Sequence, residues 1–189
     1  MAVVEVDISM SVDGFITGPN LDEHPGLGQG GEILHAWLWD DPDGPRLLDD
    51  ALFATAGAVV TSRTVYDGTG GWGADGFYGM PVFVLTHRAH DPVVKGRTTF
   101  TFVTDGIASA IGQARTAAGG KKVHVMGGAG VVQQALAAGL VDSLHLHVAP
   151  VLLGAGTRLF DNLPGPVALE RTEVVESRYG THLRFRVVR

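Results

Sequence analysis

Three short stretches of this sequence gather groups that hold anions. They are Arg63-Thr64, Thr86-His87-Arg88 and Gly127-Gly128-Ala129-Gly130-Val131. Guanidinium and hydroxyl groups bind phosphate oxygens directly. A glycine turn that opens a helix binds them too, because its N–H groups lack helical acceptors and no Cβ holds the anion off. Each stretch follows a run that reads as a buried strand: Ala58–Thr61, Val82–Leu85, and Val123, Val125 and Met126. In a parallel sheet the carboxyl ends of such strands share one edge, which is where open α/β sheets bind ligands. A dinucleotide would engage all three stretches at once, the glycine turn on its pyrophosphate and Arg on a 2′-phosphate. The positive groups favour NADPH over NADH. The glycine turn is not a Rossmann fingerprint, since Gln133 stands where a third glycine belongs and Asp142 opens the next strand. A dinucleotide here would use another α/β architecture.

Groups for proton chemistry are fewer. Asp13 lies in Ser9-Met10-Ser11-Val12-Asp13-Gly14-Phe15-Ile16, just past a first strand. It is the first candidate for anchoring a substrate or relaying a proton, with His35 and Glu32 behind it. A solvated Asp in a D-G hairpin turn is the alternative. His145 and His147 share one face of a strand over Ser143–Val151. Such a pair could bind metal, but the sequence places no third ligand. We read a partly solvated or subunit-contact face and assign no metal.

The elements that must position these groups follow from periodicity. Val4, Val6 and Ile8 share one face of a strand over Val3–Ser9. A helix is expected over Glu32–Trp39, and a second from Pro45 to a stop at Gly57. Ser62–Asp67 reads as one helical turn. Asp67–Met80 is a glycine-rich loop carrying Trp72, Phe77 and Tyr78, which reads either as a flexible surface loop or as a lid that excludes water from a site. Thr99–Val103 reads as a strand, and Thr104 or Asp105 as the cap of a helix running through Ala118. Val131, Val132, Leu136 and Leu140 recur at helical spacing after the glycine turn. Leu183, Phe185 and Val187 alternate with His182, Arg184 and Arg186, and with Leu169–Glu176 they make a C-terminal β-hairpin. The whole is a mostly parallel α/β sheet with an antiparallel edge.

Composition sets the outer limits. With 189 residues, 45% hydrophobic and 18% charged, the chain suits one domain, residues 1–189. The net charge of −6 disfavours nucleic-acid binding. The absence of cysteine excludes disulfides, thiolate zinc sites and cysteine nucleophiles. No signal peptide and no run of membrane-spanning length is seen, so a cytoplasmic protein is expected. Neither a G-x-S-x-G elbow nor an H-E-x-x-H pair points to a hydrolase.

The chain as a whole resembles the dihydrofolate reductase-like superfamily. It looks closest to the branch with the reductase domain of the bifunctional riboflavin-biosynthesis deaminase/reductase. The resemblance rests on Ser9–Ile16, on Ser62-Arg63-Thr64-Val65-Tyr66-Asp67 (similar to G-R-x-T-Y-E), on Val84–Arg88, on Val125–Ala129, and on Leu140-Val141-Asp142 leading into Pro150–Gly154. It implies a three-layer sandwich with a mostly parallel central sheet and an antiparallel C-terminal hairpin. It also implies NADPH-dependent hydride transfer to a pteridine- or pyrimidine-like heterocycle, often by a homodimer. By analogy Arg63 meets the cofactor phosphates, Thr86 and His87 flank the adenosine end, Gly127–Val131 cradle the pyrophosphate, and Asp13 lies near nicotinamide and substrate, with Thr64 and Arg88 counted among the cofactor-binding residues. Ser62 and Val65 depart from that motif, and no residue matches the carboxylate that protonates dihydrofolate. A non-catalytic NADP(H)-binding protein of the same fold is the alternative function.

Overall fold

The computed structural model describes residues 2–188. In chain order its strands are β1 (Val4–Ser11), β2 (Phe15–Thr17), β3 (Ala56–Ser62), β4 (Pro81–Leu85), β5 (Val93–Lys95), β6 (Thr98–Val103), β7 (Lys122–Gly127), β8 (Ser143–Ala149), β9 (Thr157–Arg158), β10 (Leu169–Ser177) and β11 (Gly180–Val187). The helices are α1 (Ala36–Trp39), α2 (Gly44–Leu48), α3 (Arg63–Gly68), α4 (Ile107–Ala117) and α5 (Ala129–Ala137). Among the described residues, nine strands form one sheet in the order β10-β11-β8-β1-β7-β3-β4-β6-β5. From β8 to β6 every neighbour is parallel. β11 and β5 pair antiparallel at the two ends.

The alternation in β1 divides the molecule into layers. Val4 and Val6 are fully buried and pack, with Ile8 and Met10, in a core that α4 and α5 cover through Ile111, Ala114, Val132 and Leu136. Burying a Val or Leu side chain contributes about 1.5–3 kcal/mol, so this face dominates stability. Glu5, Asp7 and Ser9 point the other way. That second face is covered around β3, β4 and β6 by Leu52, Tyr78, Trp72 and Tyr66, and near β1 and β8 by a 3₁₀ turn, Gly31–His35, and α1. Helices and turns thus lie on both sides of the sheet. No helix among the described residues is long and apolar enough to cross a membrane.

Several expectations change in detail. The helix expected over Glu32–Trp39 is a 3₁₀ turn followed by a single α turn. The one expected from Pro45 passes from α2 into a π turn, Asp49–Phe53. Gly57 stops no helix. It lies inside β3, where a Cβ would sit 2.3 Å from the Ala118 carbonyl oxygen, so close approach of the chain after α4 demands glycine. Neither Thr104 nor Asp105 caps α4. The cap is Gly106, at φ +89°, without a side-chain bond, and Thr104 Oγ1 turns to Asp105 instead. Asp13-Gly14 does not lead into a β1–β2 hairpin, because β2 leaves to pair with β9.

Candidate functional site

The parallel strands β8, β1, β7, β3, β4 and β6 all point their carboxyl ends at one edge. Of the three stretches expected to hold anions, Gly128–Val131 follows β7, Arg63-Thr64 follows β3, and Thr86–Arg88 follows β4. These strands are adjacent, so the stretches lie side by side over about 10 Å. The Asp13 turn follows β1, on the other side of the glycine turn.

Ser62 joins two of the stretches. Its Oγ accepts the N–H of Val65 at 3.2 Å, capping α3, and the N–H of Gly128 at 3.2 Å. Thr61 Oγ1 donates to the Gly127 carbonyl at 3.0 Å. The glycine turn is therefore stitched to the end of β3 by two side-chain bonds. Gly127 holds φ +107°, which only glycine adopts cheaply, and the Gly127–Gly128 peptide is cis. The N–H groups of Val131 and Val132 return to the Gly128 carbonyl. Those of Ala129 and Gly130 have no acceptor within α5. A Cβ on Gly130 would meet nothing within 4 Å, so open space adjoins the helix start. The Val131 side chain is buried in the core.

Arg63 is half-buried. Its Nε lies 2.8 Å from both Asp67 carboxylate oxygens, and its guanidinium carbon lies 5.4 Å from the Phe102 ring centre. Thr64, His87 and Arg88 are exposed. Thr86 is buried, and its hydroxyl accepts the Arg88 N–H at 3.1 Å, which shapes the turn after β4.

Asp13 is fully engaged. Its carboxylate accepts from Ser11 Oγ at 2.6 Å and from the N–H groups of Leu153 and Gly154 at 3.1 and 2.8 Å. The Ser11 bond, followed by those from Gly154 and Leu153, lowers its pKa from the ordinary 3.8 to about 2. It clamps the β1–β2 turn onto the segment after β8. Glu32 is exposed and His35 half-buried. Burial, reinforced by His147, lowers the His35 pKa to about 4, so this imidazole is neutral at pH 7. Among the described residues no hydrogen bond joins Asp13, Glu32 and His35.

The loop over 67–80 is packed down rather than free. Trp72 stacks on Phe100 and meets Tyr78 edge-on, Tyr78 donates its hydroxyl to Met126 Sδ, and Lys95 binds the Gly70 carbonyl. A cavity of about 350 Å³ lined by Phe53, Phe77 and Arg97 sits at the amino ends of β4 and β6, away from the carboxyl edge.

Two groups of residues were not anticipated. Ser62 appears in the sequence only as a departure from a motif, yet it holds the turn. His145 and His147 are neither solvated nor exposed for a subunit contact. Both are buried, and Asp7 of β1 lies between them. The period-two alternation of β1 with β8 is the signal that could have found Asp7.

A search among curated proteins finds no match. Solved structures do match. One is a putative riboflavin biosynthesis protein from Shewanella sp. PV-4, with TM-score 0.79, 22% identity and full coverage of both chains. Another is a pyrimidine reductase-like protein from Corynebacterium diphtheriae, with TM-score 0.66, 16% identity, and coverage of 100% of this chain and 92% of that one. A third is dihydrofolate reductase from Enterococcus faecalis in complex with NADP(H), with TM-score 0.61, 15% identity, and coverage of 98% and 96%. The fold is therefore dihydrofolate reductase-like, with the antiparallel C-terminal hairpin expected. The RibD C-terminal domain family model matches residues 2–183, nearly the full chain, and the protein belongs to that family.

Proposed function

We propose that this protein is an NADPH-dependent reductase that transfers hydride to a pyrimidine- or pteridine-like heterocycle, in the manner of the reductase step of riboflavin biosynthesis. The observation that carries this reading is the stitched carboxyl edge, where Ser62 locks the glycine turn beside Arg63. The residues fit a dinucleotide. The N–H groups of Ala129 and Gly130 and the open space at Gly130 suit a pyrophosphate, and the Arg63 Nη groups suit a 2′-phosphate. Thr86, His87 and Arg88 flank the adenosine end. When bound, the cofactor supplies the hydride from nicotinamide C4.

The chain's own residues bind and orient. Asp13 holds the β1 turn against Leu153 and Gly154, which fixes one wall of the substrate site. Its ionised state at neutral pH, with three donors already on the carboxylate, keeps it from serving as the acid. Glu32 and His35 are the titratable groups left to meet the substrate, and water supplies the proton. This supply of acid is poor, and that favours a second reading: an NADP(H)-binding protein of the same fold without turnover. Cofactor oxidation against a panel of aminopyrimidines and pterins separates the two. We also propose a homodimer, with contact through the segment after β8 and the β10–β11 hairpin, where Leu152, Leu169 and Val174 remain exposed. Light scattering after size exclusion tests it.

A further inference from the structure

On the sheet face opposite α4 and α5, register brings four titratable side chains together. Asp7 pairs with His145 across β1 and β8, Ser9 with His147, and His147 with His182 across β8 and β11. Asp7 Oδ2 lies 2.8 Å from His145 Nδ1, and Asp7 Oδ1 lies 3.1 Å from His147 Nε2. The three donor atoms of Asp7, His145 and His147 all fall within 4.8 Å of one another, and the side chains are 10%, 6% and 1% exposed. We infer that Asp7, His145 and His147 form a binding site for a divalent transition-metal ion of the zinc class, with a fourth position left for water or an anion.

The donor set is two imidazoles and one carboxylate, which suits zinc and its neighbours in the first transition row and not magnesium or calcium. Ligands around tetrahedral zinc at about 2.0–2.1 Å sit roughly 3.3 Å apart. Asp7 meets His145 through Oδ2 and His147 through Oδ1, so seating the ion requires the carboxylate to turn and the three donors to close from within 4.8 Å toward that spacing. Burial works to raise the Asp7 carboxyl, but His147 and His145 hold it well below the usual carboxylate range. In the metal-free chain the nitrogens facing Asp7 carry the shared protons. The ion takes their place, and those protons move to the other ring nitrogens or to water.

The surroundings are those of a ligand shell. His147 Nδ1 meets His182 Nδ1 at 2.6 Å, and Trp37 stacks on the His147 ring at 4.1 Å and 9°. Such outer contacts fix the orientation of metal-binding imidazoles. Two further histidines stand beside the group: His182 Nε2 and His124 Nδ1 are buried without a hydrogen bond, in residues 1% and 5% exposed.

The test needs no nucleotide, so it stands apart from the reductase reading. The full chain, stripped with a chelator, is titrated with Zn²⁺ by calorimetry and with Co²⁺ by visible absorption. One ion per chain is expected, with four-coordinate cobalt bands and a change in Trp37 fluorescence. Asp7→Asn and His145→Gln, verified as folded by circular dichroism, should each weaken binding at least tenfold. His24→Ala, at an exposed histidine, should leave it unchanged. Absence of saturable binding, cobalt bands of six-coordinate intensity in the wild-type chain, or affinity indifferent to both folded variants overturns the site.

Discussion

Ser62 Oγ accepts the Gly128 N–H at 3.2 Å and so ties the start of α5 to the start of α3, which the same oxygen caps. One hydroxyl thus sets the distance between the glycine turn and Arg63. Ser62→Ala removes an N-cap, a loss of about 1 kcal/mol. The expected result is a lower thermal midpoint together with several-fold weaker NADPH binding. Equal affinity in the variant would show that the clasp does not position the cofactor site.

Gly130→Ala separates binding from stability. The position is helical and has space for a Cβ. Alanine should stabilise α5 by up to about 1 kcal/mol. The added methyl stands where the pyrophosphate is proposed to lie, so NADPH affinity should fall about tenfold while the thermal midpoint holds or rises. Calorimetric titration beside thermal unfolding measures both.

Asp13 gives a pH signature. Its folded pKa of about 2 lies below the ordinary 3.8, so the clamp contributes fully above pH 4 and is lost as pH falls through 2. Asp13→Asn should lower the thermal midpoint at pH 7. The gap between wild type and variant should close between pH 4 and pH 2. A gap unchanged across that window would remove the charge from the account.

The β1–α1 contact is open to the same kind of test. Trp37 Nε1 donates to Ser9 Oγ at 2.9 Å, both side chains being buried. Ser9→Ala leaves the indole N–H unpaired, at a cost of about 1–3 kcal/mol. Urea unfolding should show the loss in midpoint with an unchanged slope.

Most of the sheet was readable because its strands are short apolar runs with a glycine or a hydroxyl at the end, and Lys122–Gly127 followed by Ala129–Ala137 is the clearest case. β5 was not readable. Val93–Lys95 is three residues long, and its pairing with Thr98–Phe100 supplies what its own pattern lacks. The stretches Glu32–Trp39 and from Pro45 onward carry apolar faces that suit two regular helices, yet the chain over 31–53 folds as 3₁₀, α and π turns. Packing of Trp37 and Leu34 into the sheet outweighs propensity there. That the three stretches share one sheet edge was legible because each follows a strand. The partners of individual side chains were not. Register decides that Asp7 lies between His145 and His147, and the fold decides that Asp13 meets Leu153 and Gly154, about 140 residues away. Periodicity carries no information at that separation.

The central claim is that the carboxyl edge around Arg63 and Gly128 holds NADPH. The most direct measurement is quenching of tryptophan fluorescence by NADPH and by NADH, in the wild-type chain and in Arg63→Ala. The Arg63–Asp67 pair is partly exposed and contributes at most about 1 kcal/mol, so the variant should stay folded. The account predicts saturable NADPH binding, tighter than NADH by about tenfold or more, and loss of that preference in Arg63→Ala. No saturable binding of either nucleotide, or a preference for NADPH that survives Arg63→Ala, would contradict it.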